Sequence, residues 1–138
     1  MNVSNALTEK LKTFFAPMPD IVLVMLYGSY ARGKQTEKSD VDIALASARG
    51  EISFDEILTL QKNLSVYLEK EIDLVDIRKI EGPLQYCIFS EGVCVKKTEG
   101  LGKTLLHKNI LTALYWYEDY FPIYERSQKR ILEKAFLA

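Results

Sequence analysis

The feature that most restricts the fold is the unbroken apolar run IVLVMLY, residues 21–27. Successive side chains of an extended strand point to opposite faces of a sheet. Because both faces of this strand are apolar, both have to be covered, as in an inner strand with helices on its two sides. The run therefore favours a layered domain that contains both strands and helices.

Further strand and helix patterns complete a small domain of the α/β (α+β) class. Strand patterns recur at residues 39–46, 71–77 and 93–97, and helical patterns lie before and between the strands. Ser53 and Glu56 have the spacing of a capping box, and Pro83 suits the first turn of a short helix. We expect a small mixed sheet of three to four strands flanked by helices. A long C-terminal helical segment should follow, interrupted at Pro122.

Length and composition indicate one domain of an ordinary globular type. We divide its 138 residues into a core, residues 1–102, and a C-terminal helical segment, residues 103–138, that packs on the core and is a candidate for docking a partner. A net charge of −1 gives no general reason to expect direct nucleic-acid binding. No stretch reaches the roughly 18 apolar residues that span a membrane, and the N-terminus does not resemble a signal peptide. Cys87 and Cys94 fit neither a metal pair nor a disulfide framework, so we expect a cytoplasmic location.

Two aspartates in the second strand are hard to explain by packing. Asp40 and Asp42 are one residue apart, so their carboxylates should project from one face, roughly 6–7 Å apart. Like charges at that distance repel unless a cation lies between them, and Mg²⁺ prefers carboxylate oxygens. A pair of Mg²⁺ ions can hold the attacking and departing oxygens in phosphoryl or nucleotidyl transfer. We therefore predict that Asp40 and Asp42 are catalytic metal ligands.

The third strand offers a further carboxylate. Asp73 and Asp76 lie on opposite faces of this strand, so only one of them can join Asp40 and Asp42. We choose Asp73 as the third metal ligand and as the catalytic acceptor of the proton from the incoming hydroxyl. Asp76 stays open as the alternative.

The turn after the first strand supplies candidate nucleotide-binding residues. Gly28 lets the backbone approach a phosphate closely, and amides that open a helical turn there would point their donors at it. The Ser29 hydroxyl adds a donor, and Arg32 could neutralise phosphate charge, with Lys34 a weaker candidate. A D-x-D pair alone is common on solvated strands, but its combination with this turn and a third-strand aspartate favours a nucleotide site.

The segment GSYARGKQTEKSDVD, residues 28–42, matches the pattern G-S-x10-D-x-D of the nucleotidyltransferase superfamily related to DNA polymerase β. In length and layout the chain resembles the minimal nucleotidyltransferase (MNT) family, the MntA-like antitoxins of HEPN/MNT toxin–antitoxin pairs. The strand IDLVDI and the aromatic tail ALYWYEDYFPIYERSQKRIL are similar to that branch in particular. The resemblance implies a polymerase β-like fold with metal ligands at Asp40, Asp42 and Asp73. It also implies that Gly28 and Ser29 hold the triphosphate of ATP.

The same resemblance implies a function. In this family an antitoxin acts as a Mg²⁺-dependent protein adenylyltransferase, which transfers AMP from ATP to a tyrosine of a HEPN-domain ribonuclease toxin and silences it. Two alternatives are an antitoxin that neutralises its partner by binding alone and a nucleotidyltransferase that acts on a small-molecule hydroxyl such as that of an aminoglycoside. Enzymes of the latter kind usually carry an extra substrate domain, for which 138 residues leave little room.

The C-terminal segment carries a broad apolar stripe at helical spacing. The stripe and its flank comprise Leu106, Ile110, Leu114, Trp116, Tyr117, Tyr120, Phe121, Ile123 and Tyr124. Such stripes usually pack into a core, whereas Tyr and Trp are also enriched at protein interfaces. The sequence alone leaves both interpretations open.

Overall fold

The computed structural model of the chain describes residues 3–137, with side chains from residue 5 to residue 135. Residues 1, 2 and 138 of the predicted division lie outside this range. The elements in chain order are α1 (Val3–Phe15), β1 (Ile21–Tyr27), α2 (Ser29–Arg32), β2 (Val41–Ser47), α3 (Phe54–Leu68), β3 (Ile72–Asp76), a 3-10 turn (Ile77–Lys79), α4 (Pro83–Glu91), β4 (Val93–Lys97), α5 (Leu101–Tyr115), a π-helical turn (Trp116–Tyr120) and α6 (Phe121–Leu137).

The four strands form one mixed sheet in the order β3-β2-β1-β4. Strand β1 is antiparallel to both of its neighbours, whereas β2 and β3 run parallel. The predicted α/β class and mixed sheet are therefore confirmed, with β1 at an inner position.

Two helical layers cover the sheet. On one face, α1 and α3 bury side chains such as Leu11 and Leu64 against the strands, and on the other face α4 and α5 contribute Ile88 and Leu105. Every residue of β1 is buried. The two-sided cover that the apolar run of β1 requires is thus present.

Local signals fixed several element boundaries. The Ser53 hydroxyl accepts a hydrogen bond from the N–H of Glu56 at 3.2 Å, which is the N-terminal half of the predicted capping box. Strand β3 is shorter than the predicted span of residues 71–77. It ends at Asp76 because the Asp76 side chain accepts the N–H of Arg78 at 2.9 Å and starts a 3-10 turn.

The C-terminal segment stays helical through Pro122, and the interruption predicted there does not take the form of a break. A π-helical turn takes its place, and the N–H of Phe121 donates to the carbonyl of Trp116 within it. In a regular α-helix the Pro122 ring would press on the carbonyl of Glu118, and the wider turn accommodates the ring. The predicted boundary at residues 102 and 103 falls in the first turn of α5.

The apolar stripe of this segment divides into a buried and an exposed part. Leu105, Leu106 and Ala113 of α5 belong to the core. From Leu114 onward most large apolar side chains face outward, with Tyr120 60% and Ile123 55% exposed. Helix α6 makes its main contacts with the π-helical turn rather than with the sheet. No helix in residues 3–137 is long and apolar enough to cross a membrane.

Candidate active site

A row of three polar side chains crosses the sheet on the face covered by α4 and α5. In the strand register Tyr27 lies opposite Asp42, and Asp42 lies opposite Asp73. Residues in direct register on neighbouring strands project to the same face, with the strands about 4.8 Å apart. The sheet therefore places Asp42 and Asp73 side by side. This agrees with the choice of Asp73, which the alternation of side chains within each strand allowed.

Gly28 is in contact with this row. Its backbone has φ +74° and ψ −151°, a region that is essentially restricted to glycine. A Cβ atom on Gly28 would collide with Oδ2 of Asp42 and lie 3.1 Å from its Cγ. The two halves of the predicted motif, which are separated in sequence, therefore touch, and only a residue without a side chain fits between them.

The next residues form α2, a single helical turn that starts at Ser29. The N–H groups of Ala31 and Arg32 donate to the carbonyl of Gly28 at 3.1 and 3.2 Å, and the turn closes at Gly33 in the left-handed conformation. Ser29 thus opens a helical turn directly beside Asp42, where early helix N–H groups have no partner within the helix. Lys34 is exposed beyond the end of this turn.

Arg32 reaches sideways to α4. Its Nη1 lies 3.3 Å from Oε2 of Glu91, and both side chains are partly exposed. The sequence predicts Arg32 as a phosphate contact, whereas it gives no indication of Glu91. A pattern of alternating and helical hydrophobicity contains no signal for such a contact, because it joins residues 59 positions apart.

The electrostatics of the row favour a bound cation. Burial raises the pKa of Asp42, and the carboxylates of Asp73 and Asp40 raise it further, against a smaller lowering effect of Arg32. Burial, Asp73 and Asp42 likewise raise the pKa of the Tyr27 hydroxyl, which keeps it protonated. A divalent cation would relieve the repulsion among these carboxylates.

The donor set fits Mg²⁺ in chemical type, since Asp40, Asp42 and Asp73 offer only hard oxygen ligands. Asp40 lies exposed, one residue before β2 begins, whereas Asp42 is half-buried within it. Within the part of the chain that the structure describes, no group of three or more Asp, Glu, His or Cys side chains is already gathered closely enough to hold a metal. Asp42 and Asp73 are thus adjacent by register, and Asp40 would have to turn toward them.

Asp76 has a different environment from Asp73. It is 4% exposed, and its carboxylate accepts the N–H of Ile52 at 2.7 Å and that of Arg78 at 2.9 Å. These bonds tie the end of β3 to the segment before α3. Both carboxylate oxygens of Asp76 are therefore engaged in holding the backbone, away from the row that contains Asp42.

Residues 9–100, more than half of the chain, match the family model described as polymerase beta, nucleotidyltransferase. The protein adenylyltransferase MntA of Shewanella oneidensis is 34% identical over 77 residues, which are 54% of this chain and 53% of that protein. A protein of Methanocaldococcus jannaschii, named as a candidate protein adenylyltransferase, is 41% identical over 61 residues, 44% of this chain and 61% of its own length. The matches thus span little more than half the length of these relatives.

Solved structures share the fold over nearly the whole chain. A chain of a toxin–antitoxin structure with AMP-PNP superposes with a TM-score of 0.70 at 24% identity, covering 88% of this chain and 98% of its own. A structure of tri-AMPylated Shewanella oneidensis HEPN toxin in complex with MNT antitoxin gives 0.66 at 20% identity, covering 91% and 99%. The family match, with its Gly-Ser turn against a D-x-D strand, shows that the chain belongs to the polymerase beta nucleotidyltransferase family.

Proposed function

We propose that the chain is an antitoxin that acts as a protein adenylyltransferase, transferring AMP from ATP to a tyrosine hydroxyl of a HEPN ribonuclease toxin. The observation that carries the proposal is the contact between Gly28 and the Asp42 carboxylate, which joins a phosphate-binding turn to a metal-binding strand. The name of the MntA relative and the AMPylated toxin in the structural relative support AMP transfer and a HEPN toxin as the acceptor protein.

The turn beside Asp42 would receive the triphosphate of ATP. Gly28 permits close approach of the phosphate oxygens, and the N–H and the hydroxyl of Ser29 supply donors without adding charge. Arg32 follows at the end of the same helical turn and adds a positive charge. By holding the triphosphate, these groups would orient the α-phosphate toward the carboxylate row.

The carboxylates of Asp40, Asp42 and Asp73 would hold Mg²⁺. Three carboxylates are enough to hold two ions, and we propose two. When bound, Mg²⁺ supplies charge neutralisation at the phosphates and lowers the pKa of an oxygen that it coordinates. The raised pKa of Asp42, caused by burial and by the neighbouring carboxylates, supports this role, since the charged form of Asp42 needs a cation nearby.

Asp73 would also accept the proton of the acceptor tyrosine. A phenol has a pKa of about 10, so it reacts faster once its proton has a base to move to. The new bond forms between the tyrosine oxygen and the α-phosphorus of ATP, and the bond from that phosphorus to the oxygen bridging to the β-phosphate breaks. Pyrophosphate leaves with the electron pair of that bond. Asp73 is exposed at the edge strand β3, where an acceptor from another protein can reach it.

The C-terminal segment, residues 103–138, would dock the toxin. Its outward side chains include Tyr115, Tyr120 and Ile123, all more than half exposed, and large apolar surfaces of this kind mark protein interfaces. The proposed location is the cytoplasm, where ATP is present and the free thiols of Cys87 and Cys94 stay reduced. Nucleic acid and membrane have no part in the proposed reaction.

The test uses labelled ATP, Mg²⁺ and the HEPN-domain protein encoded beside this chain. The wild-type protein should place label on a partner tyrosine, and Asp42→Asn should abolish the label while the fold is retained. Asp20→Asn is the matched control, because Asp20 is exposed just before β1, at the end opposite to Gly28. Label from a folded Asp42→Asn protein would refute the mechanism. A stable complex without label on the partner would instead favour neutralisation by binding alone.

A further inference from the structure

Glu91 connects the phosphate-binding turn to helix α4. Its Oε2 lies 3.3 Å from Nη1 of Arg32, and the same oxygen accepts the thiol of Cys87 at 3.8 Å. Arg32 is the last residue of α2, and its N–H donates to the carbonyl of Gly28 at 3.2 Å, so its backbone is fixed to the turn. Glu91 therefore contacts the guanidinium of Arg32 at the edge of the candidate active site, but it does not belong to the carboxylate row.

The backbone around Glu91 is held firmly against β1. Ile88, one turn earlier in α4, is fully buried. A Cβ on Gly92 would lie 3.2 Å from the carbonyl oxygen of Leu26, so glycine allows the end of α4 to abut the end of β1. Leu26 precedes Gly28 by two residues. The position of Glu91 relative to the turn is thus set by packed backbone, although the Glu91 side chain itself is partly exposed.

We propose that Glu91 is a positioning residue that holds the Arg32 guanidinium beside the Gly28–Ser29 turn for contact with the β- and γ-phosphates of a nucleoside triphosphate. The inference rests on the proposed function of this turn. A guanidinium has five N–H donors in a planar fork, so Nη1 can stay on Glu91 while the other nitrogens face the phosphates. Arg32 then loses less conformational freedom when the nucleotide binds.

The direction in which Glu91→Gln changes triphosphate affinity separates a positioning role of Glu91 from a simple effect of its charge. With Arg32 present, replacing Glu91 by Gln should weaken triphosphate binding because the guanidinium is no longer held. With Arg32 replaced by Gln, the negative charge of Glu91 can only repel phosphate, so Glu91→Gln should leave binding unchanged or strengthen it. A purely structural role of Glu91 would weaken binding in both backgrounds.

The experiment is calorimetric titration of AMP-PNP and of AMP, each with Mg²⁺, into the full-length protein. Glu91→Gln should raise the Kd for AMP-PNP about two- to fivefold, the range of an exposed ion pair, and raise the Kd for AMP less. Glu99→Gln is the matched control, since Glu99 is exposed and pairs with Lys103 at 4.0 Å, so the charge change is the same. It should change neither Kd.

Three results with the variants would overturn the inference. They are an unchanged Kd for AMP-PNP in Glu91→Gln, an equal loss in the Arg32→Gln background, and an equal loss for AMP. Because the titrations need neither partner nor transfer, they separate the two proposals. Arg32-dependent weakening in a protein that transfers no AMP would support the role of Glu91 and reject the adenylyltransferase. A wild-type protein that does not bind AMP-PNP would overturn both.

Discussion

Replacing Gly28 by Ala tests whether the turn and the carboxylate row are built around their contact. The backbone at φ +74° and ψ −151° costs a residue with a side chain about 1–3 kcal/mol. The new Cβ also has to displace the Asp42 carboxylate, and an off-rotamer side chain costs about 0.5–1.5 kcal/mol. We therefore expect the free energy of unfolding to fall by about 1.5–4.5 kcal/mol, the sum of the two costs.

Gly33→Ala is the matched control for this change. Gly33 also has a positive φ, +69°, but no atom lies within 4 Å of the position that its Cβ would take. Its substitution should cost about 1 kcal/mol from the backbone alone. Urea denaturation of both variants measures the difference, and labelling of the partner should fall about 100-fold in Gly28→Ala only, since a carboxylate displaced by about 1 Å is misplaced for catalysis.

The double variant Gly28→Ala with Asp42→Ala isolates the collision. Removing the carboxylate should restore about 1 kcal/mol relative to the sum of the single changes, because adjacent sites couple when they share a steric conflict. The reasoning is refuted if Gly28→Ala is as stable as Gly33→Ala, or if the two changes at positions 28 and 42 are additive.

Four further predictions concern the carboxylates and the C-terminal segment. Asp76→Ala should lower the free energy of unfolding in urea by about 2–4 kcal/mol, because two backbone N–H groups lose their acceptor; Asp73→Asn, in contrast, should abolish transfer with little loss of stability. In metal-free protein the raised pKa of Asp42 means that the folded state binds its proton more tightly than the unfolded state, so stability should fall as pH rises from about 4 through that pKa; urea titrations at several pH values should show a weaker fall in Asp42→Asn. Tyr120→Ser should weaken the complex with the toxin in a pull-down while changing the free energy of unfolding by no more than about 0.5 kcal/mol, since Tyr120 is 60% exposed.

Local signals in the sequence predicted much of the fold. Ser53 and Pro83 act within one helical turn of their own positions. The apolar residues on both faces of β1 directly predict that both faces are buried. The order of the strands was not predictable in the same way, because pairing joins distant segments. The adjacency of Asp42 and Asp73 therefore became visible only in the structure, although each aspartate was identified from the pattern of its own strand.

The choice between Asp73 and Asp76 shows why the rest could not be predicted. Alternation within β3 separates their faces, but does not tell which face holds the turn after β1. The register of β2 with β3 places Asp73 beside Asp42, while Asp76 is occupied by N–H groups of Ile52 and Arg78. The assignment of Asp73 to the metal and the proton remains a prediction.

The C-terminal stripe illustrates a second limit. Leu106 and Leu114 follow the same helical spacing, yet Leu106 is buried and Leu114 is 50% exposed. Hydrophobic periodicity specifies a face of a helix and not what covers it.

The π-helical turn at Trp116–Tyr120 has a geometric consequence for that face. A turn of this kind holds one residue more than an α-helical turn, and one residue corresponds to about 100° of rotation around the helix axis. The side chains of residues 121–135 in α6 are therefore rotated by that angle from the direction that a continuous α-helix from α5 would have given them. A deletion of one residue in this turn would return Tyr124 and Ile131 to the directions expected for a continuous α-helix. The direction in which these α6 side chains face thus depends on one inserted residue.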